Sequence, residues 1–329
     1  MTAKSPVNLV INRAFLCLCI FSSITGSVYS ATPLQTHDMN PLTLVYGLPL
    51  VSPARLSQQS TFSASLNVSN TINTEDTNNE QLFIDGETSE LNLIYSFPVS
   101  DKSSITIRLP VISHNAGSLD SFIDDFHQAF GFPEGDRPNF AADQFLFLYQ
   151  QNNADILRVD QANNDIGDLS VEMAFQTFAN TNAAGSLYSS IKLPTGDSEL
   201  LTGSGEIDVA VWYADEHRYK ADWTRYYNIG LLITGDTDIL PGLQKTNIYF
   251  GTAGIEWQTT ASLSLNIQLD FHTAFYNSDT RFLGDSVQIS SGGHIHFSRD
   301  SRLDIVVVED IYIGASPDVT FQLGYSQSF

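Results

Sequence analysis

From Leu263 to Phe275 the chain alternates. Leu263, Leu265, Ile267, Leu269, Phe271 and Phe275 share one parity, and Ser264, Asn266, Gln268, Asp270 and His272 share the other. A strand turns successive side chains to opposite faces, so this segment is a ribbon with one apolar and one polar face. After a polar loop, Val287, Ile289, Ile295 and Phe297 alternate with Gln288, Ser290, His294 and His296. The last stretch repeats the pattern, with Val319, Phe321, Leu323, Tyr325 and Phe329 set against Thr320, Gln322, Gly324, Ser326 and Ser328. Upstream, the same alternation predicts strands at Phe62–Val68, Leu91–Phe97, Ile105–Val111, Val171–Phe175, Leu187–Leu193, Ile207–Tyr213, Tyr227–Ile233, Tyr249–Trp257 and Leu303–Ile313. That makes about twelve strands, each near the ~10 residues a tilted strand needs to cross a bilayer.

The connections alternate too. Ser298–Ser301, Thr259–Ser262, Asn180–Gly185 and Ser100–Ser103 are short; Asn277–Asp285, Gly235–Lys245, Thr195–Ser204, His114–Gly167 and Thr71–Asn79 are longer. Outer-membrane barrels have short periplasmic turns and longer external loops. The expected fold is therefore all-β, an antiparallel transmembrane β-barrel of about twelve strands over residues 58–329, with both ends on the periplasmic side. A soluble β-sandwich also alternates, but its outer face is dense in charge. Here charged residues make up only 16% of the chain, and the polar parity is Ser, Thr, Asn, Gln and Gly, as in a wet lumen. After residue 31 no apolar run is long enough for a spanning helix.

Residues 114–167 break the pattern and are expected to form a long external insertion. Within it Leu119, Phe122, Ile123, Phe126 and Phe130 recur at helical spacing, with Ser118 as a cap and Gly131 as a left-handed stop. The amphipathic helix this predicts is either a plug or gate at the barrel mouth, or a lid without a gating role. Phe145, Phe147 and Tyr149 predict a short strand paired with Asp155–Val159.

The first thirty residues read as an export signal. Lys4 and Arg13 precede an apolar run from Ala14 to Ile24, and Val28-Tyr29-Ser30 offers small residues at a cleavage point before Ala31. The competing reading is an N-terminal membrane anchor, which would need a longer apolar run. Residues 31–57 are expected to form a periplasmic N-terminal segment. Both cysteines, Cys17 and Cys19, lie in the signal, which leaves the mature chain without thiol or disulfide chemistry.

The net charge of −22 makes nucleic acid an unsuitable partner. The expected partners are outer-membrane lipid and lipopolysaccharide, the barrel-assembly machinery and a small-molecule solute. No cofactor is expected beyond divalent cations at acidic external loops such as Glu75-Asp76 and Asp236/Asp238.

Projection of the strands places Arg108, Glu172, Lys192, Glu206 and Asp208 on the inward parity. Mixed charges there read as salt bridges bracing a narrow barrel, with a selective constriction as the sharper alternative. Asp270, His272, His294, His296 and Asp304 form a second inward group on neighbouring strands, readable as a metal site or as polar lumen filler. Hydrolysis would need a serine, a histidine base and an orienting group; Ser290 or Ser291 near His272 is the candidate, without the His-x-Ser-Asn-Gly element of outer-membrane phospholipases. Glu309 stands on the lipid parity unless a bulge near Val307-Val308 turns it inward. Phe329, a terminal aromatic on the lipid parity, reads as the assembly signal.

Two stretches resemble known families. His127-Gln128-Ala129-Phe130-Gly131-Phe132-Pro133 through Arg137-Pro138, with Asn40-Pro41-Leu42 and Gly47-Leu48-Pro49, resembles the uncharacterised domain-of-unknown-function family 3187 over nearly the whole mature chain. Lys192-Leu193-Pro194-Thr195-Gly196-Asp197, followed by Thr202-Gly203-Ser204-Gly205-Glu206-Ile207-Asp208, is similar to a motif of outer-membrane proteins linked to aromatic catabolism. That second resemblance implies a strand, a glycine-rich external loop and a returning strand, in a channel. The expected function is a selective or gated barrel that passes or binds a small molecule. The alternatives are a lipid-modifying outer-membrane hydrolase and a structural barrel without transport.

Overall fold

The alternating segments form strands that pair in sequence and close on themselves. The computed structural model describes residues 30–117, 144–311, 314–317 and 319–329. Twelve antiparallel strands make the barrel. They are β1 (Thr61–Asp76), β2 (Glu80–Ser100), β3 (Ser103–Asn115), β7 (Leu169–Ala179), β8 (Ala183–Leu193), β9 (Asp208–Lys220), β10 (Trp223–Ile233), β11 (Asn247–Thr260), β12 (Leu263–His272), β13 (Ser286–His296), β14 (Ser301–Asp310) and β15 (Val319–Ser328). β1 pairs with β15 from Thr61↔Ser328 to Asn70↔Val319, which removes both sheet edges. β3 pairs directly with β7, so the insertion between them leaves the wall unbroken.

The predicted parity holds along the wall. Ile229, Met173, Ile267, Leu323 and Phe175 are among the apolar side chains exposed on the outer face. Trp223 and Trp257 stack near the short-turn end with ring centroids 5.3 Å apart, and Phe329 stacks on Tyr95 at 6.3 Å at the same end. Aromatic side chains at a barrel rim fit the interfacial belt of a membrane-spanning barrel. Phe329 is outward and its N–H donates to Ser60 O, 2.9 Å. β14 runs in register through Val307 and Val308 without a bulge, so Glu309 stays on the outward parity, opposite Ile289 at the long-loop end.

The loop expected over Thr71–Asn79 is instead a continuation of β1 and β2, which stay paired to Asp76↔Gln81 around a three-residue turn. On this extension β2 also pairs with β4 (Leu146–Gln151), which pairs with β5 (Ala154–Val159), the predicted hairpin. A short strand, β6 (Asn163–Ile166), pairs with the far end of β3. The predicted helix with Leu119, Phe122, Ile123, Phe126 and Phe130 lies outside the described residues.

Residues 31–57 differ from expectation. They do not hang below the barrel; they run inside it. Ala31 and Thr32 contact Glu216 and Glu256 near the short-turn end. The segment climbs to a single helical turn, α1 (Pro41–Leu44), at the long-loop end, capped by the Asn40 side chain. It then descends until Leu56 N–H donates to Gln176 Oε1, 3.0 Å, and Arg55 reaches Glu216. The physical reason lies in composition. Leu34, Met39, Leu42, Val45, Tyr46, Leu48, Leu50 and Val51 are too apolar to remain in water, while Pro33, Pro49 and Pro53 break up any long element and Pro41 starts only the single turn of α1. An irregular buried backbone needs side-chain partners, and the polar inner wall supplies them.

Candidate functional site: the plugged lumen

The N-terminal segment, residues 31–57, fills the lumen as a plug, held by a ladder of polar contacts to inward side chains. At its top, the Lys192 ammonium is buried among four oxygens: Asp168 Oδ2, Ser204 Oγ, the Val45 carbonyl at 3.1 Å and Asp208 Oδ2 at 3.2 Å. Asp208 Oδ2 also accepts from Gly47 N–H, 2.7 Å, and Oδ1 from Gly235 N–H, 2.9 Å. Asp168 accepts from the N–H groups of Gly196 and Ser204. The lysine and the aspartate of the glycine-rich motif therefore grip the plug and at the same time set the loop between β8 and β9. A side chain at Gly203 would collide with Asp168, whose Oδ1 lies 2.3 Å from the position of a Cβ, so this close approach needs glycine.

The expected charge cluster is partly assembled. Lys192 and Asp208 meet. Arg108 and Glu172 sit buried on neighbouring β3 and β7, two pairs apart in register, and Arg108 Nε and Nη1 have no hydrogen-bond partner among the described residues. Glu206 does not join; it lies exposed in the loop just before β9. Asp168 was missed because it directly precedes β7 at the end of the insertion, where the alternation gives no parity. Its one sequence signal is Gly167-Asp168 abutting a strand.

The second group does not converge. Asp270 binds the hydroxyls of Thr36, Thr252 and Ser290. His272 Nε2 faces Asp38 Oδ2 at 2.9 Å, and its Nδ1 faces Thr273 O at 3.0 Å. His294 Nδ1 faces Asp304 Oδ1 at 2.6 Å, and its Nε2 faces Thr32 O at 2.8 Å. Each ring lies between a carboxylate and a backbone carbonyl, so both of its nitrogens are engaged by the protein itself. His296 is half-buried beside Arg302, and its Nε2 is unpartnered among the described residues. Among the described residues no three His, Cys, Asp or Glu side chains gather as a metal ion requires. Ser290 lies opposite Gln268, not His272, and Ser291 faces outward, so the drawn hydrolytic arrangement is not formed.

Above the plug the barrel mouth is apolar. Leu42, Val45 and Tyr46 of the plug pack with Phe275, Tyr276, Phe282 and Leu240 of the long loops, and with Leu82, Ile84, Phe147 and Tyr149 of the strand extension. Tyr46 stacks on Phe275 at 4.8 Å, and burial pushes its phenol pKa up. The extension is tied down by carboxylates. Glu75 accepts from the N–H groups of Arg281 and Phe282, and Glu80 accepts from Ser278 and Asp279. Glu75, expected on an outward cation-binding loop, is thus engaged by the protein itself, whereas Asp236 and Asp238 are exposed. Beside the plug, a cavity of about 30 Å³ touches Thr36, Asp38, Phe250, Asp270 and His272, room for about one or two waters.

A barrel of this build, closed, twelve-stranded and apolar outside, belongs to the class of outer-membrane channel folds. The chain belongs to the family described as "Protein of unknown function (DUF3187)", whose model matches residues 9–329. Among solved structures it is similar to the COG4313 outer membrane channel from Pseudomonas putida F1. That match has a TM-score of 0.55 at 12% identity and covers 84% of this chain and 97% of that one. Two further matches are a KdgM porin in complex with disordered oligogalacturonate (TM-score 0.45, 7% identity, 82% and 99% covered) and the P. putida toluene transporter TodX (TM-score 0.42, 9% identity, 89% and 93% covered). No curated protein matches the chain.

Proposed function

We propose that the protein is an outer-membrane channel for small molecules whose path is gated by its own N-terminal segment. In this reading the short-turn end faces the periplasm and the long loops face outward. The observation that carries it is the occupant of the lumen: residues 31–56 are bonded to the wall by many separate polar contacts and continue into β1 without a break. Outer-membrane barrels have polar interiors, open in porins and plugged by loops or a helix in others. This one lines its wall with Asn, Gln, Asp, Glu, Lys and His, which water solvates once the segment moves.

A tether tests this. The plug's Ser52 exchanges two bonds with the Asn228 side chain, both 3.1 Å. The mature chain has no cysteine to interfere with an introduced disulfide. Liposome swelling with sugars, amino acids and aromatic acids is expected to show solute flux for the wild type, loss of flux in oxidised Ser52→Cys/Asn228→Cys, and recovery on reduction. No flux for any solute from a correctly folded wild type favours the structural-barrel reading, to which a filled lumen also lends itself. Flux that persists through the oxidised tether overturns the gate.

A further inference from the structure

The free end of the plug meets an acidic seat. Ala31 N–H donates to Glu216 Oε2, 3.0 Å, and Ala31 is buried. The Ser30 hydroxyl donates to the same oxygen, 2.8 Å, and Arg55 Nε donates to Oε1, 3.1 Å. One residue on, Thr32 N–H donates to Glu256 Oε2, 2.5 Å. The Thr32 carbonyl accepts from His294 Nε2 and Asn266 Nδ2, both 2.8 Å. Both carboxylates are buried, Glu216 on β9 and Glu256 on β11. The grip falls on the residue that the sequence marks as the first after an export signal. Two independent observations, a cleavage pattern ending at Ser30 and a buried carboxylate on the nitrogen of Ala31, point to the same atom.

We propose that Glu216 is the receptor for the chain's own α-amino group, formed when the signal is removed between Ser30 and Ala31. This rests on the export reading, not on the gating one. A signal peptidase adds water across the Ser30–Ala31 amide; the new carboxylate leaves with Ser30 and the amine stays on Ala31. The amide nitrogen had one proton to give, and the ammonium has three. It keeps the bond to Glu216 and replaces the lost Ser30 hydroxyl. It also adds a positive charge beside two buried carboxylates, of which Glu216 already meets Arg55, and a buried carboxylate is stable only when so paired. Processing thus completes the seat, and the plug locks at its free end only in the mature chain.

Intact mass of protein purified from outer membranes, followed by labelling with an amine-reactive ester at neutral pH and peptide mapping, tests the proposal. A free α-amine has a pKa near 8 against about 10.4 for lysine, so an unhindered one labels faster than exposed lysines. The expected first residue is Ala31, and its amine labels more slowly than the exposed Lys102 and Lys220, a suppression of more than about a hundredfold against an unhindered α-amine, since the two kinds of amine differ by about 2.4 pKa units and each unit is tenfold. Glu216→Gln is expected to bring Ala31 above the lysines. A different first residue, fast labelling of Ala31 in the wild type, or protection unchanged in Glu216→Gln each overturns the proposal. The wild-type measurement decides alone if the variant fails to assemble. Failure of the gate leaves this result untouched, because labelling does not read flux.

Discussion

Lys192 shows how much one side chain holds. Its ammonium neutralises Asp168 and Asp208 while both carboxylates organise loop backbone, and the three side chains are almost wholly buried. Lys192→Met removes the cation and leaves two facing buried carboxylates. The expected cost is about 3–5 kcal/mol, as for breaking a buried pair. It is read as a lower midpoint of unfolding by denaturant in detergent, with a loosened β8–β9 loop detectable by proteolysis near Ser198. The double change Lys192→Met/Asp208→Asn is expected to recover part of that loss. Lys192 and Asp208 were legible from alternation, since each sits on the inward parity of a long strand. Asp168 and Glu216 were not. Asp168 lies where a strand begins, and Glu216 has no visible partner until the N-terminal segment is placed beside it.

At the scale of elements, the strands were legible because a period of two survives wherever one face meets lipid and the other a polar lumen. The lipid face sets a clear test. Ile267 lies at the middle of β12, 57% exposed on the outer side. Ile267→Lys is expected to cost about 2–4 kcal/mol near the bilayer centre, seen as a lower unfolding midpoint in lipid vesicles. Gln268→Lys points inward and does not meet lipid, so it is expected to perturb plug contacts instead. The N-terminal segment was not legible by period, because four prolines and an irregular path leave none. Its signal was different in kind: an apolar density too high for a solvated tail. The β1–β2 extension reads as a loop because Thr, Asn and Glu dominate its first arm; backbone pairing with a neighbouring hairpin, and burial of Leu82 and Ile84 beside Phe147 and Tyr149, carry that strand on.

For the whole molecule, closure and filling are separable. The wall is a continuous ring of strand pairs that owes no hydrogen bond of its ladders to the plug. A chain lacking residues 32–56 is expected to assemble as a heat-modifiable barrel and to conduct steadily in planar bilayers, while the wild type stays closed for most of the recording. Failure of the shortened chain to form a barrel would make the plug part of the fold and not a gate. Phe329→Ala acts on a different step. Its ring stands on the outer rim, so the loss is expected in assembly, with less protein in the outer membrane and more periplasmic degradation, and normal levels would refute that role.

The path of the plug has a mechanical consequence. Because it rises, turns at α1 and returns, one arm starts at the short-turn end, where Ala31 meets Glu216, and the other continues into β1. The returning arm keeps the stopper leashed to the rim it leaves. If the segment gates as proposed, this leash keeps the stopper at a high local concentration beside the lumen, so the barrel recorks itself without any partner bringing the stopper back.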